Sequence, residues 1–233
     1  DYFEGRPKGG RSLADQLISE GDRAFGVEEV VEIVRDQLTP HFPPQPADAD
    51  RQRSHYSDTN FQLLGAVIEA VTGLALGGAF EQLLFQPLGL KHTYLYDYAS
   101  GSVDEPVGFM LGDQAFSLAL TMRSIGPEGG LVATAGDMLA FLRALTRGEP
   151  FDEPSTSVLM SQRWNRLHFS LDPRELRVPR WPIQYGLGMM RFRIPRPFTG
   201  RWSMPPVIGH SGSTGSWLFD CPQMDVLLAG TVD

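Results

Sequence analysis

Two short stretches hold side chains whose types and spacing could do chemistry. Tyr56-Ser57-Asp58-Thr59-Asn60 sets a phenol, a carboxylate and a carboxamide just ahead of an apolar-periodic run. Phe61, Leu64, Val67, Ile68 and Val71 recur at spacings of three and four, which predicts a core helix buried along this face. Ser57 is its expected N-cap and Gly73 its left-handed C-cap glycine. Polar groups at the mouth of such a helix sit where a rigid backbone and the helix dipole can act on a substrate. The same residues also read as an ordinary capped helix with an aromatic before it. The second stretch is Gly209-His210-Ser211-Gly212-Ser213-Thr214-Gly215. Its glycines permit close backbone approach, and His210 reads either as facing a substrate or as a structural histidine. It is not a nucleophile elbow, because Ser213 stands two residues after Ser211 where that motif needs glycine.

Composition bounds what these stretches can serve. With 233 residues, 42% hydrophobic and 21% charged, the chain is an ordinary globular protein of one large domain or two small ones. A net charge of −8 argues against nucleic acid and against anionic membrane surfaces as partners. No apolar run approaches the length of a membrane span. The lone Cys221 excludes an internal disulfide. The five histidines, His41, His55, His92, His168 and His210, lack ligand spacing, so no metal and no cofactor is expected. His55, beside Tyr56, either tunes the phenol or is a surface loop histidine. The localisation is open.

The elements that must position the two stretches follow in order. An amphipathic piece around Leu13–Ile18 and a helix from Val27 to Leu38 precede a proline-rich loop, which delivers the chain to Tyr56. After the central helix comes a short one over Ala79–Phe85. Loops with short strands, Tyr94, Tyr96 and Tyr98 alternating, run from Thr93 to Leu131. Helices are predicted over Ala135–Leu145, ended by Gly148, and Pro154–Gln162. Strand-like runs at Gly186–Arg193, Val207–His210, Ser216–Phe219 and Val226–Gly230 predict an antiparallel meander. Helices first and strands last give an α+β class, with a mainly helical region over 1–165 and a sheet over 166–233. If both stretches serve one site, Tyr56 and His210 must lie within about 10 Å of each other, the reach of one small pocket.

In combination these stretches resemble the serine β-lactamase and penicillin-binding-protein superfamily, of the class C, DD-peptidase and family VIII esterase type. Tyr56-Ser57-Asp58 resembles its Tyr-x-Asn element, with Asp in place of Asn. His210-Ser211-Gly212 resembles its third motif, Lys-Thr-Gly or His-x-Gly. Asp1-Tyr2-Phe3, Gly129-Gly130-Leu131 and Tyr185-Gly186-Leu187-Gly188 fit in order and spacing. The first motif, Ser-x-x-Lys, is not found in this chain: Gly5 stands three residues before Lys8, and Leu88 three before Lys91, the only two lysines. The chain opens without methionine and closes on a strand, so the expectation is a fragment lacking its first segment, with the N-terminal strands and nucleophile helix, and its last helix.

The resemblance implies acyl transfer to a serine, with a lysine and Tyr56 managing its proton. A free tyrosine titrates near 10, so a cationic neighbour would have to lower Tyr56. Asp58 would orient the substrate or that lysine. His210 would stand where other members place a lysine to meet a substrate carboxylate; a neutral imidazole is a weaker anion site and favours esters and peptide-like amides over β-lactams. The Ser213 N–H would supply half of an oxyanion hole. Asn60, Ser211 and Gly212 would line the substrate site. The nucleophile is not in this chain, so the chain alone is expected to be inactive, and to self-associate or recruit the missing elements. A non-catalytic binding or scaffolding protein on the same fold is the alternative.

Overall fold

The computed structural model describes residues 1–46, 49, 52–96, 109–111, 113–147, 160, 163–166, 183–193, 199 and 204–232. Most of the expected helix at Pro154–Gln162 lies outside them, as do Tyr98, Gly148 and His168. The chain forms two compact units, Asp1–Pro40 with Ser57–Thr134, and His41–Tyr56 with Ala135–Asp233. This division interleaves along the chain, whereas the 1–165 and 166–233 regions were distinguished by element type.

The first unit holds α1 (Leu13–Glu20), α2 (Val27–Glu32, continued by a π-helical turn at Ile33–Gln37), α3 (Asp58–Thr72) and α4 (Leu76–Phe80, continued by a π-helical turn at Glu81–Phe85). These are followed by α5 (Gln86–Leu88), the strand β1 (Tyr94–Leu95), a hairpin of β2 (Phe109–Leu111) and β3 (Gln114–Phe116), the helices α6 (Ala119–Ser124) and α7 (Gly126–Gly129), and β4 (Leu131–Val132). Ser12 and Asp15 form a complete capping box on α1. Leu13, Leu17 and Val30 close around a fully buried Tyr2, with Phe3, Phe25, Ile33 and Val34 packed against them. The glycine-interrupted run before Leu131 predicts loops, yet residues 119–129 are mostly helical, because Asp22, far away in sequence, accepts from the Leu120 and Thr121 N–H groups and starts α6.

α3 has the predicted length and ends at Gly73 with φ 68°, but it buries a different face. Thr59, Gln62 and Gly65 point inward, while Leu64, Val67 and Val71 are 55%, 54% and 80% exposed. The inward face is chosen by bonding and shape. Thr59 Oγ1 accepts from the Tyr2 N–H at 3.1 Å. Gln62 donates to the Ser124 carbonyl at 2.9 Å. Gly65 leaves room for Pro127 of α7, which a Cβ there would approach to 2.6 Å. Ser57 occupies the N-cap position in extended geometry, but its side chain makes no cap hydrogen bond.

The second unit holds α8 (Ala135–Arg147) and six strands: β5 (Asn165–Arg166), β6 (Ile183–Tyr185), β7 (Met190–Phe192), β8 (Val207–Ser211), β9 (Ser216–Cys221) and β10 (Val226–Thr231). All neighbours pair antiparallel in the order β10-β9-β8-β7-β6-β5, so the predicted meander is present. α8 packs on β9 and β10 and brings Leu142, Ala144 and Leu145 into the core. The run from Gly186 is a turn rather than a strand start. Gly188 takes φ 72°, and the Gly186 N–H donates to the Met189 carbonyl at 2.8 Å, which reverses the chain into β7. Among the described residues, no single helix is long and apolar enough to cross a membrane.

Candidate active site

Tyr56 ends a loop that is fastened across its base. Gln45 accepts from the Arg53 N–H at 2.7 Å and donates to the Arg53 carbonyl at 2.9 Å. The Arg53 guanidinium lies 5.9 Å from the centre of the Phe42 ring, and His41 stacks on His55 with ring centres 4.0 Å apart. His55 then donates from Nδ1 to the Tyr56 carbonyl at 2.8 Å. Its Nδ1 therefore holds the backbone of Tyr56 rather than the phenol.

Three rings meet in this unit. Tyr56 lies 5.6 Å from Tyr185 and 5.7 Å from His210, and Tyr185 lies 5.8 Å from His210, all between ring centres. Strand register brings the backbones of Tyr185 and His210 close, two strands apart, although it does not by itself set their side chains on one face. Tyr185 pairs with Met190, Met190 pairs with Gly209, and His210 is the next residue on β8. Tyr185 is a residue that its motif flagged only as a family marker. A tyrosine closing one strand and a histidine near the end of the next strand but one was the available signal.

The bonding of His210 is determined by its neighbours. Nδ1 lies 2.8 Å from the Ser211 carbonyl oxygen, which can only accept, so Nδ1 carries the proton. The Nε2 of a neutral imidazole is then an acceptor, and the Tyr185 hydroxyl donates to it at 2.9 Å. Beyond β8 the chain turns: the Gly215 N–H donates to the Gly212 carbonyl at 3.2 Å, and Gly212 donates to Ser216 at 2.8 Å. Ser213 is a central residue of that exposed turn, and among the described residues its N–H makes no hydrogen bond.

Asp58 and Asn60 open α3 in the other unit, Asp58 half-buried and Asn60 exposed. Beside them lies a cluster that the sequence did not announce. The Tyr2 hydroxyl donates to Glu128 Oε1 at 2.5 Å, and Glu128 Oε2 is shielded without a partner among the described residues. Burial pushes the Glu128 carboxyl up to about 8, against the Tyr2 hydrogen bond and with help from the Asp58 charge. Burial, with Glu128 adding, pushes the Tyr2 phenol far above its ordinary range. A polar cavity of about 440 Å³ elsewhere in this unit is lined by Arg11, Arg23, Glu29 and Glu32. Its arginines are paired, Arg23 with Glu29 at 2.6 Å and Arg11 with Glu20, which leaves the cavity without the mark of an anion site. Among the described residues no cluster of three metal-ligating side chains occurs.

Residues 30–232 match the Beta-lactamase family. The chain belongs to that family. The architecture is accordingly β-lactamase/transpeptidase-like, an α+β fold of helices with antiparallel sheet. A D-aminopeptidase of Cereibacter sphaeroides is 28% identical over 125 residues, 53% of this chain and 23% of the relative. A putative D-alanyl-D-alanine carboxypeptidase of Escherichia coli O157:H7 is 23% identical over 191 residues, 69% of this chain and 40% of the relative. The D-stereospecific amidohydrolase of a Streptomyces species superposes with a TM-score of 0.64 at 23% identity, covering 93% of this chain and 58% of its own. This Beta-lactamase family chain thus spans less than half the length of the two curated relatives.

Proposed function

We propose that the protein carrying this chain is a serine hydrolase that transfers an acyl group from an ester or a peptide-like amide, as an esterase or DD-peptidase rather than an efficient β-lactamase. The observation that supports this most is the packing of Tyr56 against His210, 5.7 Å between ring centres, which unites two motifs from distant parts of the chain in one unit. In this reading Tyr56 passes the proton of the attacking serine to the leaving group. Asp58 orients the substrate or the lysine beside the nucleophile, and Asn60, Ser211 and Gly212 line the substrate site. The exposed N–H of Ser213 supports its role as an oxyanion donor. The relatives' names favour amide bonds next to D-amino acids. The nucleophile is supplied from outside these 233 residues, since neither Lys8 nor Lys91 completes a Ser-x-x-Lys motif.

The test is intact mass after incubation with a fluorophosphonate or a fluorescent penicillin. The whole protein should take up one adduct, and the 233-residue chain none. An adduct on Ser57, Ser211 or Ser213 would relocate the nucleophile, and an inert whole protein would favour the second reading, a binding or scaffolding protein without a nucleophile. The apolar side chains exposed on α3 support self-association of the chain, which light scattering across a concentration series would read.

A further inference from the structure

Resting on the hydrolase reading, we propose that Tyr185 is a specificity-determining residue: by occupying Nε2 of His210, its hydroxyl denies that nitrogen to a substrate carboxylate and selects substrates that are neutral at that end. The relatives divide on this point. A carboxypeptidase must accept a free carboxylate beside the bond it cuts, and an aminopeptidase need not.

The argument is one of counting donors. An imidazole has two ring nitrogens. Nδ1–H of His210 is committed to the Ser211 carbonyl at 2.8 Å, and Nε2 accepts from Tyr185 at 2.9 Å. Neutral His210 therefore has no N–H to offer an anion. Protonation in acid does not release one, because the new Nε2–H already faces the Tyr185 oxygen, which needs only to turn its hydrogen away. Tyr185 is 8% exposed and closes β6, so its ring is held by packing and its hydroxyl is kept on target. Replacing it with Phe keeps the ring and removes the hydroxyl that occupies Nε2. In acid the imidazolium can then donate a charge-assisted hydrogen bond to a carboxylate.

Two measurements decide the matter. The first needs no catalysis: ¹⁵N NMR of the histidine-labelled chain at neutral pH. His210 should show a protonated Nδ1 and a hydrogen-bonded, unprotonated Nε2, and Tyr185→Phe should move the Nε2 resonance toward that of a free acceptor. A protonated Nε2 in the native chain, or a resonance indifferent to Tyr185→Phe, would overturn the proposal. The second compares D-alanyl-D-alanine with D-alanyl-D-alanine amide as substrates of the whole protein. The native protein should prefer the amide. Tyr185→Phe should raise the ratio of kcat/KM for the acid over the amide by roughly tenfold or more in mildly acidic buffer, mainly through KM. An unchanged ratio would sink the specificity role even if the NMR result held. If neither compound is turned over, the hydrolase reading fails, and the same ratio is then read from the two dissociation constants. Should Tyr185→Phe not fold, the tautomer and the amide preference of the native protein remain, and either one reversed is decisive.

Discussion

In the first unit Tyr2 donates its hydroxyl to Glu128, and in the second Tyr185 donates its hydroxyl to His210. Both phenols are buried, and both end on a group that can change its protonation. The surroundings of the acceptors differ. Glu128 Oε2 is shielded and unpartnered among the described residues, so the Tyr2 hydrogen bond on Oε1 and a smaller contribution from Gln62 only partly offset the cost of burying the charge. His210 leads directly into the exposed turn from Ser211 to Thr214, and the Tyr56 ring packs beside it. On the proposed reading, a buried phenol is a fastening where its acceptor is sealed, as at Glu128, and part of a site where its acceptor opens on solvent, as at His210. Tyr2 accordingly serves α3, through its own N–H to Thr59, and Tyr185 serves His210.

The largest expected effect tests the open cluster. Tyr56→Phe in the whole protein keeps the ring contacts with Tyr185 and His210 and removes only the hydroxyl. The expected loss is roughly 10²- to 10⁴-fold in kcat, with an unchanged melting temperature. Turnover of a p-nitrophenyl ester at the native rate would make Tyr56 a packing residue and erase the contrast with Tyr2.

Next comes the sealed cluster. The folded Glu128 carboxyl titrates near 8 against an ordinary value of 4.5. Its neutral form is the one the fold prefers, so its stabilising share is complete below about pH 4.5. That share is lost progressively as the pH rises to about 8 and is constant beyond. The loss is of the order of a few kcal/mol, at about 1.4 kcal/mol per tenfold. Glu128→Gln, a neutral isostere, should flatten the urea midpoint between pH 5 and 8 and exceed the native chain in stability above pH 8. Parallel pH curves for the two chains would show that Glu128 is solvated and that the two clusters are alike.

The two clusters were also unequally legible. Tyr56 and His210 lie in short motifs of unusual local composition, and each motif carries its own signal. Tyr2 and Glu128 are joined only by the packing of α3 on α7, which no local pattern encodes. α3 itself was readable as a helix from its spacing and its Gly73 cap. Its orientation was not, because periodicity ranks faces by hydrophobicity, whereas this face is held by Thr59, Gln62 and Gly65. Helix α6 was hidden for a similar reason: its cap comes from Asp22, outside any window that would show it. The strands of the second unit were the easiest to read, since short β-rich runs between turn residues pair with their immediate neighbours.

A smaller effect probes the surface against which the sealed cluster is built. A Cβ at position 65 would lie 2.6 Å from Cγ and 2.7 Å from Cβ of Pro127, and a proline ring cannot turn aside as a flexible chain would. Gly65→Ala gains about 1 kcal/mol of helix propensity and loses about 1–3 kcal/mol to overpacking. The net expectation is destabilisation by up to about 2 kcal/mol in chemical denaturation. A stabilised variant would mean that α3 and α7 can separate without cost.

The smallest effect concerns Asp22, and it separates charge from geometry within the first unit. α6 begins at Ala119 after Leu118, whose side chain cannot cap. Asp22 Oδ2 accepts from the Leu120 N–H at 2.7 Å, and Oδ1 accepts from the Thr121 N–H at 2.8 Å and the Thr121 hydroxyl at 2.7 Å. One carboxylate thus satisfies two of the amides that a helix start leaves open, and its charge faces the positive end of the helix. Asp22→Ala should cost about 1 kcal/mol, as the loss of a cap does, because Thr121 is buried and water reaches its amide poorly. Asp22→Asn keeps an accepting oxygen and loses the charge, so it should recover more than half of that loss in urea titrations at neutral pH. An Asn variant as weak as the Ala variant would assign the effect to charge. Gln62 also holds the far end of α6 through the Ser124 carbonyl, so both variants should leave the Tyr56 and His210 ring resonances where they are. A shift of those resonances would show that the Asp22 cap and the Tyr56–His210 cluster are coupled.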